Sequence, residues 1–164
     1  MRFLFACGGT GGHINPAIAI ARTVKEKRQD AEILFVGAAG GMENRLVPNA
    51  GFEIKTLEVS SISRKKRLSS VFSNINSIKK ALSAKREAQK IIKEFKPDVV
   101  IGTGGYACFP SLAAAVKLKI PTLIHESNAY PGLATRLLAK KVTKVLLNFE
   151  ETGKNLPKGV SAIV

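Results

Sequence analysis

Apolar positions in this chain follow two alternating rhythms. Some form short unbroken runs, and others recur every three or four residues over longer stretches. The runs Phe3–Ala6, Ile33–Val36, Val99–Ile101, Ile120–Ile124 and Val142–Leu147 predict short strands, the β-branched run Val99–Ile101 being what a buried parallel strand requires. Phe52–Val59 instead alternates, with Phe52, Ile54, Leu57 and Val59 as its apolar set, and predicts a strand near a sheet edge. Helical spacing covers Ile14–Lys27 through Ile14, Ala17, Ile18, Ala21 and Val24, with Pro16 expected in the first turn, where its missing donor costs nothing. Met42, Leu46 and Val47 predict a short helix ending near Pro48-Asn49. A long helix from about Val71 to Phe95 carries Val71, Ile75, Ile78, Leu82, Ala88, Ile91, Ile92 and Phe95 mostly on one side, and Pro97-Asp98 stops it. Pro110–Leu118 and Leu133–Ala139 are two further helices. Beyond Asn148 the chain reads as polar and irregular until Ala162-Ile163-Val164 begins another strand. Strands alternating with helices imply an α/β fold with a mostly parallel sheet and right-handed crossovers.

That order places the loops Gly8–His13, Gly37–Gly41, Gly102–Tyr106 and His125–Asn128 after strands, and hence along one rim, where such sheets bind ligands. Composition narrows the ligand. The 164 residues suffice for one domain with a real core, and 45% apolar content excludes disorder throughout. Lys and Arg number 26 against 12 Asp and Glu, a formal charge of +14 that calls for an anionic partner: nucleic acid, an anionic membrane or a phosphorylated substrate. Aromatic residues are only 6% of the chain and no nucleic-acid recognition motif appears, so a nucleic-acid partner stays open on the charge alone and ranks third. No stretch is apolar enough to span a bilayer, and Met1-Arg2-Phe3 enters a strand too soon for a secretory signal, so the reading is a cytoplasmic chain, peripheral to a membrane at most. The two cysteines, Cys7 and Cys108, read as small buried thiols rather than as a disulfide or metal site.

Gly8-Gly9-Thr10-Gly11-Gly12-His13 is the richest chemical candidate. It lacks the third glycine of a dinucleotide fingerprint, since Ile14 stands there, and no Gly-Lys-Ser or Gly-Lys-Thr follows to make a Walker loop. Its backbone donors at a helix start still suit a pyrophosphate. His13 suits general-base work on a sugar hydroxyl, with a histidine merely bonded to the helix start as the competing reading. Gly104-Gly105-Tyr106 offers a second anion or sugar cradle, with Tyr106 stacking on the ligand or packing the rim. In His125-Glu126-Ser127-Asn128, His125 reads either as structural or as part of the site. Glu126 reads as an alternative catalytic carboxylate or as the holder of a neighbouring group, and Asn128 as an orienting residue. No metal-ligand spacing occurs. Arg64-Lys65-Lys66-Arg67 beside Leu68, Val71, Phe72 and Ile75 reads as a basic rim around an apolar helix start. That suits either an anionic membrane surface or a solvated charge run ahead of core positions.

These segments occur in an ordered set: the first glycine loop with Pro16-Ala17, Gly41-Met42-Glu43 with Leu46-Val47-Pro48, Lys96-Pro97-Asp98-Val99-Val100, Gly104-Gly105-Tyr106, and His125–Asn128 with Pro131-Gly132. Together they resemble the N-terminal domain of the MurG family of UDP-N-acetylglucosamine–N-acetylmuramyl-(pentapeptide) pyrophosphoryl-undecaprenol N-acetylglucosamine transferases, across essentially all 164 residues. The resemblance implies a Rossmann-like sheet forming the N-terminal half of a GT-B glycosyltransferase. Residues 1–164 would be the acceptor-binding domain, and the C-terminal UDP-GlcNAc-binding domain would be absent from this chain. The implied reaction moves GlcNAc from UDP-GlcNAc to lipid I, forming lipid II in peptidoglycan synthesis with inversion. It involves no cofactor and no tightly bound metal, and the half-enzyme is expected to be inactive alone. The resemblance makes Thr10, Gly11, Gly12 and Asn128 donor contacts, His13 the base, and Gly104, Gly105 and Tyr106 holders of the acceptor pyrophosphate. It makes Arg64, Lys65, Lys66, Arg67, Leu68, Val71, Phe72 and Ile75 a membrane-facing patch. The implied partners are lipid I, UDP-GlcNAc mainly through the other domain, and an anionic membrane, with no nucleic acid. The implied location is the cytoplasmic face of the bacterial plasma membrane, held peripherally. The alternative is a noncatalytic membrane module that recruits a separate transferase domain. Two departures stand out: Ser127 replaces the family's usual Gln, and Ser60-Ser61-Ile62-Ser63 replaces a glycine-containing loop.

Overall fold

Side chains alternate across a strand, so a run apolar at every position must be covered on both faces. In the computed structural model, which describes residues 1–59 and 71–164 and the side chains of all of these except 71–81, that requirement builds a sheet with helices on each side. The elements in chain order are β1 (Arg2–Ala6), α1 (Gly11–Lys27), β2 (Glu32–Ala38), α2 (Glu43–Asn49), β3 (Glu53–Leu57), α3 (Val71–Phe95), β4 (Val99–Gly102), α4 (Cys108–Lys117), β5 (Thr122–Glu126), α5 (Leu133–Leu138), β6 (Lys144–Leu147), α6 (Glu150–Lys154) and β7 (Ala162–Ile163). The sheet has seven strands in the order β3-β2-β1-β4-β5-β6-β7, and every pairing is parallel. As expected from its alternation, β3 is an edge strand.

The two faces hold separate apolar clusters. Phe5, Phe35, Val99 and Ile101 point to one side, where Ile14, Ala17, Ile18 and Ala21 of α1 and Val47 of α2 cover them. Phe5 and Phe35 stack there with ring centroids 5.2 Å apart. Leu4, Leu34, Val36, Val100, Ile124 and Val145 point to the other side, against Ala88, Ile91 and Ile92 of α3, Leu112 and Ala115 of α4, and Leu138 of α5. Each large apolar side chain removed from water contributes about 1.5–3 kcal/mol before conformational entropy is set against it.

The order runs outward from the centre in both directions, so the connection direction reverses between β1 and β4. At such a point the loops following the two strands diverge to opposite faces and leave a crevice above their carboxyl ends. The register places Ala6 beside both Val36 and Gly102, so β1 and β4 end level with one another while β2 runs two residues further, to Ala38.

Two expectations change. α1 starts at Gly11, three residues before the predicted Ile14, because the Thr10 carbonyl accepts the N–H groups of both His13 and Ile14. Pro16 therefore lies inside the helix rather than in its first turn. The stretch after Asn148, read as irregular, contains α6, whose Thr152 hydroxyl bonds the Asn128 carbonyl at 2.8 Å. Residues 60–70, including Arg64, Lys65, Lys66, Arg67 and Leu68, lie outside the described residues. Val71, Phe72 and Ile75 stand on the described backbone of α3, but their side chains do not.

Candidate active site

Thr10 precedes α1 in extended conformation, and its side chain caps nothing. Helix starts leave N–H groups without intrahelical partners. Here Gly11 and Gly12 donate to no acceptor among the described residues, so their N–H groups remain open at the positive end of a 17-residue helix. His13 follows one residue later, tied to the loop after β4 through its carbonyl, which accepts the Thr103 hydroxyl at 2.7 Å.

The second glycine loop docks directly on the first. Gly104 and Gly105 have φ of +112° and +88°, conformations that side chains other than hydrogen rarely adopt. A Cβ on Gly104 would collide with the His13 ring, standing 2.7 Å from its Cε1. A Cβ on Gly105 would strike the Gly8 backbone, 2.6 Å from its carbonyl carbon. The imidazole therefore lies flat against one glycine, and the two loops touch backbone to backbone at the other. The Tyr106 ring lies over Gly9 while 46% of the residue remains exposed, so it forms part of the rim and keeps an open face. The Nδ1 of His13 is buried without a hydrogen-bond partner among the described residues.

The loop after β5 is organised around Glu126, which is only 5% exposed. One carboxylate oxygen accepts the Asn128 backbone N–H at 3.1 Å and its Nδ2 at 2.7 Å. The other accepts the Gly132 N–H at 2.9 Å and the Thr135 hydroxyl at 2.6 Å. Four donors occupy both oxygens, and Asn128 is left exposed with its amide already oriented. His125 lies half-buried on β5, its Nδ1 buried without a partner among the described residues. No hydrogen bond joins the Glu126–Asn128 group to the His13 loop among the described residues. The structure thus brings His13, Gly104, Gly105 and Tyr106 into contact and leaves Glu126 and Asn128 as a separate unit beyond β4.

Beneath these loops lie both thiols. Burial, reinforced by the neighbouring Glu43 carboxylate, pushes Cys7 well above the ordinary thiol range. Burial also raises Cys108 to about 12, with a further rise from Glu126 and an opposing hydrogen bond from the Gly104 backbone. Neither thiol is a nucleophile here, since the thiolate is the reactive form.

Sequence reasoning gave no role to Glu43, which is fully buried. Its signals were its place in the Gly41-Met42-Glu43 segment of the ordered set and its position as a lone carboxylate closing the glycine-rich loop after β2. A groove of about 730 Å³, bordered by Arg22, Glu32, Phe52 and Phe95, lies at the opposite, amino-terminal end of the sheet.

Residues 3–147 match the family described as Glycosyltransferase family 28 N-terminal domain. The chain is 52% identical over 164 residues to the UDP-N-acetylglucosamine–N-acetylmuramyl-(pentapeptide) pyrophosphoryl-undecaprenol N-acetylglucosamine transferase of Caldanaerobacter subterraneus subsp. tengcongensis, covering 100% of this chain and 44% of that protein. It superposes on the crystal structure of Acinetobacter baumannii MurG with a TM-score of 0.80 at 29% identity, over 99% of this chain and 44% of that one. The UDP-GlcNAc 2-epimerase from Methanocaldococcus jannaschii shares the fold alone, with a TM-score of 0.62 at 15% identity over 94% of this chain and 41% of that one. The chain spans less than half the length of the curated relatives it matches.

Proposed function

The chain belongs to the glycosyltransferase family 28 N-terminal domain family, and from that premise we propose that it is the acceptor-binding half of an inverting UDP-GlcNAc transferase that converts lipid I to lipid II. The observation that carries this reading is the seating of the His13 ring on Gly104, between two glycine loops that meet at Gly8 and Gly105. An imidazole held there stands beside open N–H groups on one side and a second anion cradle on the other.

In this reading His13 takes the proton from the 4-hydroxyl of the acceptor MurNAc as that oxygen attacks the anomeric carbon of GlcNAc. The bond from that carbon to the UDP oxygen breaks on the opposite face, UDP leaves with the electron pair, and the anomeric centre inverts. Thr10 and the free N–H groups of Gly11 and Gly12 face the donor phosphates at the helix start. Gly104, Gly105 and Tyr106 hold the acceptor pyrophosphate. Asn128 reaches the donor, and Glu126 acts through it as a positioning residue, since both its oxygens are occupied. The other wall of the cleft and most donor contacts belong to a second domain. No helix among the described residues is long and apolar enough to cross a membrane. The surface bound to the lipid acceptor would then be peripheral, and the charge of +14 favours an anionic one.

The test is transfer of labelled GlcNAc to lipid I or a soluble analogue. The 164-residue chain alone should show no turnover. In a two-domain protein carrying this N-terminal half, His13→Ala should lower kcat by about 10²–10⁴-fold, the usual contribution of a positioned base. KM for UDP-GlcNAc should stay within about threefold, as for removal of a group that acts mainly in the transition state. Unchanged kcat would remove His13 as the base. Turnover by the chain alone would remove the assignment of half a site.

A further inference from the structure

Glu43 is the most deeply buried charged side chain among the described residues, and its surroundings were made for it. It projects from the start of α2 into a space walled by Gly8, Gly37 and Gly41, each of which would collide with its carboxyl end or stem if it bore a Cβ. One oxygen accepts the Ala38 N–H at the end of β2, at 2.7 Å. The other accepts the Gly9 N–H at 3.1 Å. No salt bridge among the described residues includes it, so the carboxylate is held by backbone donors without a cation. A buried charge in such a place is costly unless its hydrogen bonds are kept, which makes the geometry demanding.

Gly9 immediately precedes Thr10, the residue from which α1 and His13 spring. The Gly9–Glu43 bond therefore fixes the point at which the loop turns into the helix. It also removes the Gly9 N–H from the donors a ligand could use, and it places a negative charge behind the first half of the loop. Of the first loop's donors, those of the Thr10–Gly12 end are then the ones left for the donor phosphates.

Resting on the transferase reading above, we propose that Glu43 is a positioning residue for the reaction. As a built-in carboxylate it occupies the anion nest of the first glycine loop and thereby sets the His13 ring against Gly104.

Two variants separate this from simple loss of stability. Glu43→Gln keeps the shape, but an amide has only one acceptor oxygen and must turn its NH₂ toward the Gly9 or the Ala38 N–H. Glu43→Ala empties the nest and leaves space and donors for a small carboxylate. In the two-domain protein, well below its melting temperature, Glu43→Gln should lower kcat by about 100-fold, as expected for an ångström-scale misplacement, with KM for UDP-GlcNAc within about threefold. Sodium formate should restore kcat of Glu43→Ala saturably, by about tenfold or more, while sodium chloride at equal ionic strength should not. The chain contains only two histidines, so its own NMR spectrum reports position directly. In the 164-residue chain the His13 ring signals should move in both variants and return with formate in Glu43→Ala, while those of His125 stay. If the parent two-domain protein transfers no GlcNAc, the functional reading fails, and the NMR arm still decides the positioning. Unmoved His13 signals, a kcat loss that vanishes after correction for folded fraction, or no response to formate would overturn the proposal.

Discussion

At the scale of single residues, the candidate site depends on atoms that are missing. Gly105 has a positive φ and faces the Gly8 backbone, which has no flexible end to swing aside. Gly105→Ala therefore combines a strained conformation with a backbone collision, and the strain alone is worth about 1–3 kcal/mol. We expect thermal melting to show at least that loss, with transfer activity of the two-domain protein falling further because the loops part. A variant that melts like the parent would show that the contact is not needed. Glu126 teaches the complementary lesson. The pattern His125–Asn128 announced a polar cluster after a buried strand, and its reading as either an acid or a holder stayed open. The four donors on its oxygens now favour the holder.

At the scale of elements, α4 links the core to the site. It begins at Cys108, fully enclosed beneath the second glycine loop, and a Cβ on Gly102 would meet both the Cys108 sulfur at 2.5 Å and Leu112 Cδ1 at 2.6 Å. The enclosed thiol has a pH consequence. Its folded value, about 12, lies above the ordinary 9.0. The neutral thiol's share of stability is thus fully present below pH 9.0 and is lost as pH rises toward 12, because only the unfolded chain ionises in between. Cys7 acts in the same direction. Urea unfolding between pH 8 and 10.5 should show Cys108→Ala losing less stability than the parent, by up to about 1.4 kcal/mol per pH unit. Parallel curves would mean that the thiol is not sealed. Most elements were legible because each needs only one apolar face. The first turn of α1 was not, since Gly11 and Gly12 have poor helix propensity and the Thr10 carbonyl holds the turn. Nor was α6, too short and polar to carry a periodic signal and packed on the Asn128 loop through Thr152.

At the scale of the whole molecule, exposed apolar groups gather on one layer while the positive charge belongs to the chain as a whole. The α3–α4–α5 side of the sheet displays Leu82 of α3 and Leu133 and Leu137 of α5, with Tyr130 beneath the Arg136 guanidinium at 5.6 Å. With a net charge of +14, this chain should sediment with vesicles containing anionic lipid and not with neutral ones, and salt should weaken the binding. Equal binding to both would leave the charge without that role.

The sequence by itself determined the alternation of strands and helices, the parallel sheet, the edge position of β3, and the presence of glycine loops on one rim. Those follow from local periodicity and chain direction, which are properties of neighbours along the chain. Only the tertiary structure decided that the first loop rests on the second through Gly8 and Gly105, that His13 lies on Gly104, and that Glu43 closes the nest from 34 residues away in sequence. Such contacts join segments whose order says nothing of distance, and they are chosen by the packing of the two faces of the sheet.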